Sequence, residues 1–192
     1  MIRFQTDRLL VRDISKVDLD SLLQIYRLLV RDISKVDLDS LLQIYGKKEN
    51  MKFISDGKYG WSEDQLTEKY EKCNKNYGLG IGVFTICLKK SSDIIGEAGL
   101  FDSFGDTKKL ELGYILDNAY WGKGFGNELC NGLINYSFNN LKIEKLISRM
   151  YVENIASVRL SEKCGMKRMK SGETIEGRAW YEYEISNIIS KR

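Results

Sequence analysis

The sequence predicts an α/β fold in which an antiparallel meander passes into a parallel strand pair. Three observations predict it. β-rich runs follow one another at 80–88, 94–101 and 109–116, with residues 89–93 between the first two as a hairpin signal. The glycine-dense stretch Trp121-Gly122-Lys123-Gly124-Phe125-Gly126-Asn127-Glu128 then opens a helical stripe of Phe125, Leu129, Leu133 and Tyr136. A further β-rich run at 145–152 follows that helix, and a strand reached through a helix lies parallel to its predecessor by a right-handed crossover.

The amino end carries an exact repeat. Residues 8–26 read RLLVRDISKVDLDSLLQIY, and residues 27–45 repeat them without a change. Solenoids need at least three units and nothing after Gly46 continues the period, so the repeat is a tandem duplication, natural or introduced, and not a repeat architecture. Each copy reads as a short strand, a Ser/Asp-rich start and a helix, with Leu19, Leu22, Leu23 and Tyr26 or Leu38, Leu41, Leu42 and Tyr45 on its apolar face. Only one copy fills one strand slot. The spare either loops out as a second strand–helix pair or, with no Gly or Pro between Ser15 and Tyr45, lets the first helix run on through the second copy.

The remaining elements follow from local signals. Residues 62–75 are helical, with Ser62 and Gln65 as a capping box and Leu66, Tyr70 and Cys73 on one face. Residues 154–164 form another helix, N-capped by Asn154 and C-capped by Gly165. Residues 167–170 and 179–185 close the chain as a hairpin around 172–177. Gly78, Gly80 and Gly82 lead into a strand and read as loop and bulge.

Composition excludes several function classes. The chain has 192 residues, 43% hydrophobic, 30% charged and 11% aromatic, which are globular values. No apolar run approaches the ~20 residues that cross a bilayer, and the charged amino end does not read as a signal peptide, so a soluble, cytoplasmic protein without membrane partners is expected. Net charge is +3, which argues against nucleic-acid binding but permits a local anion site. The chain has no histidine, so Ser-His-Asp and Cys-His chemistry is excluded, and no metal site is expected. Cys73, Cys87, Cys130 and Cys164 form no CxxC pair and read as reduced, buried thiols.

The glycine loop is the chief candidate for chemistry. A glycine-rich turn opening a helix aims several backbone N–H groups at one spot, where the helix dipole also favours negative charge. Gly122, Gly124 and Gly126 permit close approach of a pyrophosphate, and Lys123 adds a charge. No Gly-Lys-Ser/Thr follows, so it is not a Walker loop, and the antiparallel strands before it exclude a Rossmann fingerprint. Taken alone, the cluster is equally a tight turn before a capped helix.

Four segments in order carry a family resemblance. Trp121 to Glu128 resembles the acetyl-coenzyme A signature, Gln/Arg-x-x-Gly-x-Gly/Ala, of the GNAT N-acetyltransferase superfamily, in the RimJ/RimL-like branch where Trp takes the first position. Thr6-Asp7-Arg8-Leu9-Leu10-Val11-Arg12 resembles that branch's opening Thr-x-Arg-Leu-x-Leu-Arg, and Glu111-Leu112-Gly113-Tyr114 its strand before the glycine loop. Asn154-Ile155-Ala156-Ser157-Val158-Arg159 with Glu162-Lys163-Cys164-Gly165-Met166 resembles Asn-x-x-Ser-x-Arg … Glu-Lys-x-Gly-Phe. Departures are Met166 for Phe, the absence of a Pro shortly before Trp121, and the duplication.

The resemblance implies one acetyltransferase domain over residues 1–192, with a GNAT-like mixed, mostly antiparallel central sheet, helices on both faces and a splayed parallel strand pair at the cofactor site. It implies acetyl-coenzyme A as cosubstrate, the pantetheine arm lying between the splayed strands. Trp121, Gly122, Lys123, Gly124, Phe125 and Gly126 correspond to the cofactor loop. Arg159 and Lys163 correspond to residues reaching the adenosine phosphates, or form a solvated basic helix face. Glu111 is the candidate base, its alternative being a solvated outward carboxylate. Asn154 contacts the pantetheine arm, caps its helix, or both, and Ser157 either protonates the leaving thiolate or satisfies the helix's first turn. Trp180, Tyr181 and Tyr183 read as core and hairpin surface, or as lining of the acceptor cleft.

The implied reaction is direct transfer of acetyl to a primary amine, either a protein N-terminal α-amine or a small-molecule amine. An α-amine titrates near ~8 and a lysine near ~10.4, so a carboxylate base serves the former more easily. The rival readings are a non-catalytic acyl-coenzyme A-binding module and a deliberately duplicated structural variant. Monomer and homodimer are both open.

Overall fold

The computed structural model describes residues 2–5, 9–12, 28–106 and 108–187, the first two stretches by backbone alone. In chain order the elements are β1 (Ile2–Gln5), β2 (Leu9–Arg12), β3 (Leu28–Asp32), α1 (Leu38–Tyr45), α2 (Lys48–Met51), α3 (Glu63–Cys73), β4 (Gly82–Leu88), β5 (Ile94–Phe101), β6 (Lys109–Leu116), α4 (Phe125–Asn139), β7 (Lys145–Tyr151), α5 (Ile155–Lys163), β8 (Lys167–Glu173) and β9 (Ala179–Ser186). The strands form one sheet in the order β1-β2-β3-β4-β5-β6-β7-β9-β8, in which the β2–β3 and β6–β7 pairs run parallel and the others antiparallel. The predicted meander is β4-β5-β6, and the predicted crossover is β6-α4-β7.

Strand alternation divides the core between the two faces of the sheet. On β6, Leu110, Leu112 and Leu116 pack with Leu129 and Leu133 of α4 and with Leu146 of β7. Ile115, facing the other way, packs with Val83 of β4, Leu41 and Ile44 of α1, and Leu66 and Tyr70 of α3. Helices therefore cover both faces, each burying one apolar stripe. α3 starts where its capping box predicts: the Gln65 N–H donates to Ser62 Oγ at 3.3 Å and the Ser62 N–H to Gln65 Oε1 at 3.0 Å.

The duplication resolves in favour of the second copy. Residues of the second copy form β3 and α1, with Leu28, Val30, Leu41 and Tyr45 buried. The strand of the first copy, β2, lies parallel beside β3 with Leu9 opposite Leu28, Leu10 opposite Leu29 and Val11 opposite Val30, so each residue pairs with its own duplicate. A helix running on through the second copy is excluded, because β3 interrupts it. The expected helix of the first copy lies outside the described residues, as does the side-chain detail of the Thr6–Arg12 motif.

Local differences from the sequence reading are few. β8 extends through Ser171, Gly172 and Glu173 because they pair with Tyr181, Trp180 and Ala179 of β9. α2 and the short 3-10 turns over Lys35–Asp37, Tyr77–Leu79 and Asn118–Tyr120 have no periodic signal to announce them. Cys87, Cys130 and Cys164 are buried and Cys73 is half-buried, all four as free thiols.

Candidate active site

The site begins where β6 and β7 part. They pair only at Lys109–Lys145, Leu110–Leu146 and Glu111–Ile147. Beyond that, β6 stays bonded to β5 as far as Leu116 and β7 to β9 as far as Tyr151, so the two strands are drawn to opposite halves of the sheet. The gap opens into a crevice of about 470 Å3 at the carboxyl ends of both strands. Its apolar walls include Phe53, Ile54, Ile115 and Leu116. Among the described residues, the strand edges facing each other across the gap carry no partner strand there, which is the geometry that accepts an extended chain as an added strand.

The glycine loop closes one end of the crevice. The Trp121 indole N–H donates to the Leu116 carbonyl at 2.7 Å, which pins the loop to the end of β6. Gly122 and Gly124 have φ of +72° and +85°, a region that costs little only for glycine. Gly124 is also the N-cap of α4 and supplies no side-chain cap, and Gly124, Phe125 and Gly126 of this helix start line the crevice. A helix start of this kind can receive an anion, because its free amides and dipole favour negative charge. Asn50 braces the loop from the other face: its Nδ2 donates to the Ile44 carbonyl at 3.0 Å, while its Oδ1 accepts from the Asn118 N–H at 2.8 Å.

α5 forms the other wall. Asn154 Oδ1 accepts from the Ser157 N–H at 3.2 Å, making Asn154 the cap that the sequence predicts, and both side chains line the crevice. Tyr114 lines it from β6. Burial pushes the Tyr114 hydroxyl above the ordinary tyrosine range, with the neighbouring Ser157 hydroxyl pulling the other way. Gly126 and Leu160 bring α4 and α5 together: a Cβ on Gly126 would stand 3.0 Å from Leu160 Cδ2.

The predicted residues divide into those that line the crevice and those that do not. Trp121, Gly122, Gly124, Phe125, Gly126, Asn154 and Ser157 line it. Lys123 lies beside the loop with its ammonium 5.3 Å from the Tyr120 ring centroid. Arg159 and Lys163 are exposed on α5, outside the crevice lining. Glu111 sits at the last paired position of β6, half-buried on the opposite side from Leu110 and Leu112, with Oε2 3.7 Å from Arg149 Nη1. Among the described residues, no group of three His, Cys, Asp or Glu side chains is placed to hold a metal, and no helix is long and apolar enough to cross a membrane.

A family model described as an acetyltransferase (GNAT) domain matches residues 27–167. The chain belongs to the GNAT acetyltransferase family. The match starts at Arg27, the first residue of the second copy, in agreement with the copy that fills β3 and α1. The uncharacterized N-acetyltransferase YnaD of Bacillus subtilis (strain 168) is 29% identical over 120 residues, which are 62% of this chain and 66% of that protein. The spermidine N(1)-acetyltransferase of Vibrio cholerae is 29% identical over 115 residues, 60% of this chain and 64% of that protein. Both matches thus span just under two thirds of the relative's own length. Among solved structures, the ribosomal L7/L12 α-N-protein acetyltransferase RimL, in complex with coenzyme A, has the same fold with a TM-score of 0.74 at 15% identity, covering 83% of this chain and 94% of that one.

This GNAT domain also uses residues that the sequence reading passed over. Phe53 and Ile54 line the crevice from the segment after α2. The Tyr151 hydroxyl donates to the Ser55 carbonyl at 2.7 Å, fastening that segment to β7. Of the three carboxy-terminal aromatics, Tyr183 is buried and Tyr181 packs against the core, as expected. Trp180 instead lines a second hollow beside Arg149.

Proposed function

We propose that this chain transfers an acetyl group from acetyl-coenzyme A to a primary amine in one direct step. The observation that carries the reading is the divergence of β6 and β7 beyond Glu111 and Ile147, which opens toward an uncapped, glycine-led helix start. The amides from Gly122 to Gly126 grip the diphosphate through geometry and the helix dipole. Trp121 holds that loop in place, while Lys123, Arg159 and Lys163 contribute positive charge around it. The pantetheine arm lies between the strands as an added strand, with Asn154 bonding its amides.

The residues then divide the proton work. Glu111 takes a proton from the incoming ammonium, directly or through water, and Arg149 fixes the orientation of its carboxylate. The amine nitrogen bonds to the thioester carbonyl carbon, the carbon–sulfur bond breaks, the departing thiolate takes the Ser157 hydroxyl proton, and the proton that the new amide nitrogen sheds returns to the Ser157 oxygen through water. Tyr114 holds that hydroxyl in position. Binding both reactants in one crevice supplies the orientation that the bimolecular reaction lacks in solution.

The test is free thiol release from acetyl-coenzyme A across a panel of amines and peptides. Glu111→Gln is expected to lose about two to four orders of magnitude in turnover while keeping coenzyme A affinity. Coenzyme A binding without thiol release from any amine would replace this reading with that of a non-catalytic acyl-coenzyme A-binding module.

A further inference from the structure

A second hollow, of about 500 Å3, lies on the Glu111 side of the sheet, and Phe53 lines both it and the crevice. Its floor is built by strand register. Pairing of β7 with β9 sets Arg149 opposite Glu182, and pairing of β8 with β9 sets Lys170 opposite the same residue. The second pairing depends on a bulge: the register shifts between Arg168 and Lys170, which leaves Met169 exposed and turns Lys170 onto the hollow. Glu182 accepts from Arg149 Nε at 2.9 Å and lies 3.2 Å from Lys170 Nζ. Burial pushes the Glu182 carboxyl up, but the two cations outweigh it and hold it below its ordinary value.

The exposure of these charges is unequal. The Glu182 side chain is 3% exposed, against 42% for Arg149 and 63% for Lys170. The carboxylate is sunk beneath the cations it holds, so a molecule entering the hollow meets N–H donors. Tyr151 and Trp180 supply flat apolar walls. The Trp180 ring lies across β8, where a Cβ on Gly172 would come within 2.6 Å of it.

From this arrangement we infer that the second hollow receives the acceptor, and that the acceptor is an amine carrying an acidic group, its carboxylate or phosphate bound by Arg149 and Lys170. The inference rests on the acetyl-transfer reading above. A free polycation is disfavoured at the mouth, where its charges face the exposed guanidinium and ammonium, while the Glu182 and Glu111 carboxylates that balance those cations are only 3% and 21% exposed. The buried Glu182 acts as a positioning residue that keeps both cations on the floor before any acceptor arrives.

Three acceptors test it in the thiol-release assay: a short peptide with a free α-amine and Asp as its first residue, the same peptide with Asn there, and spermidine. The Asp peptide is expected to exceed the Asn peptide in kcat/KM by about ten- to hundredfold, chiefly through KM, the range of a charge-assisted hydrogen bond. Lys170→Met and Arg149→Gln should each collapse that ratio toward unity, with coenzyme A affinity measured in parallel to show that each variant is folded. Equal or better use of the Asn peptide or spermidine, or a ratio that survives in both variants, overturns the acidic-acceptor inference and leaves acetyl transfer standing. No thiol release with any of the three overturns the acidic-acceptor inference, and acetyl transfer itself falls with it if the wider panel of amines and peptides is also silent in protein that binds coenzyme A.

Discussion

Tyr151, the last residue of β7, donates its hydroxyl hydrogen to the carbonyl of Ser55, and both residues line the second hollow. Ser55 has φ of +49°, so the segment after α2 is held in a left-handed turn where that bond fastens it. The same segment supplies Phe53 and Ile54 to the crevice wall. Tyr151→Phe removes the donor and leaves the ring. The bond is exposed, so global stability should fall by no more than about 1 kcal/mol. The larger effect is expected on KM for the acceptor, with kcat changed less, since Phe53 stands between the two hollows. A KM equal to wild type would show that the fastening has no part in acceptor binding.

Gly124 offers a way to separate loop geometry from fold. Nothing stands within 4 Å of a Cβ placed there, so Gly124→Ala introduces no clash. The cost is conformational: a φ of +85° in a residue with a side chain costs about 1–2 kcal/mol. A loop that relaxes to avoid that cost moves its amides away from the crevice. Calorimetric titration should therefore show weaker coenzyme A binding, while the urea midpoint shifts only slightly. Unaltered affinity would remove the loop amides from the phosphate-binding role.

Beneath the sheet, Glu97 gathers three donors. Its Oε2 accepts from the Tyr70 hydroxyl at 2.7 Å, and its Oε1 accepts from the Tyr45 hydroxyl at 2.5 Å and from Lys69 Nζ. Burial first, and the Glu97 carboxylate second, hold the Tyr45 and Tyr70 hydroxyls above the ordinary tyrosine range. A folded value raised above the unfolded one gives stability that is complete below the unfolded value, near ~10, and lost as pH rises beyond it. Urea midpoints should hold steady up to about pH 10 and then fall, at up to roughly 1.4 kcal/mol per pH unit for each tyrosine. Tyr70→Phe should lower stability at neutral pH and make the alkaline fall shallower. An alkaline slope identical in wild type and variant would mean that other groups set it.

The parts of this molecule legible in the sequence are those fixed by neighbours along the chain. β5 and β6 have the bounds that their apolar runs predict, the Ser62–Gln65 capping box marks the start of α3, and the three glycines between Trp121 and Asn127 announce the start of α4. What the sequence hides is set by register. Arg149, Lys170 and Glu182 meet because two strand pairings and a bulge align them, and no local pattern connects residues so far apart in the chain. Tyr151 and Ser55 are 96 positions apart and share no motif. α2 is a single turn, too short for a period to show. The choice of copy for β3 was beyond any propensity argument, since identical sequences have identical propensities.

That identity leads to the last expectation. Deleting residues 8–26 or residues 27–45 yields the same polypeptide, in which Gln5-Thr6-Asp7 is followed by one Arg-Leu-Leu-Val-Arg strand. β1 now pairs antiparallel with β2, Gln5 opposite Leu10 and Phe4 opposite Val11. After deletion the same residue types stand at the same spacing from β1, so β1 can pair directly with the strand that occupies the β3 position. The duplication thus inserts one strand between β1 and β3, and β6, which borders the gap, stands four strands further along the sheet order from β2. The shortened protein is expected to fold cooperatively, bind coenzyme A with the affinity of the full chain, and release thiol at the same rate. Loss of coenzyme A binding in a folded deletion variant would show instead that the extra strand supports the site.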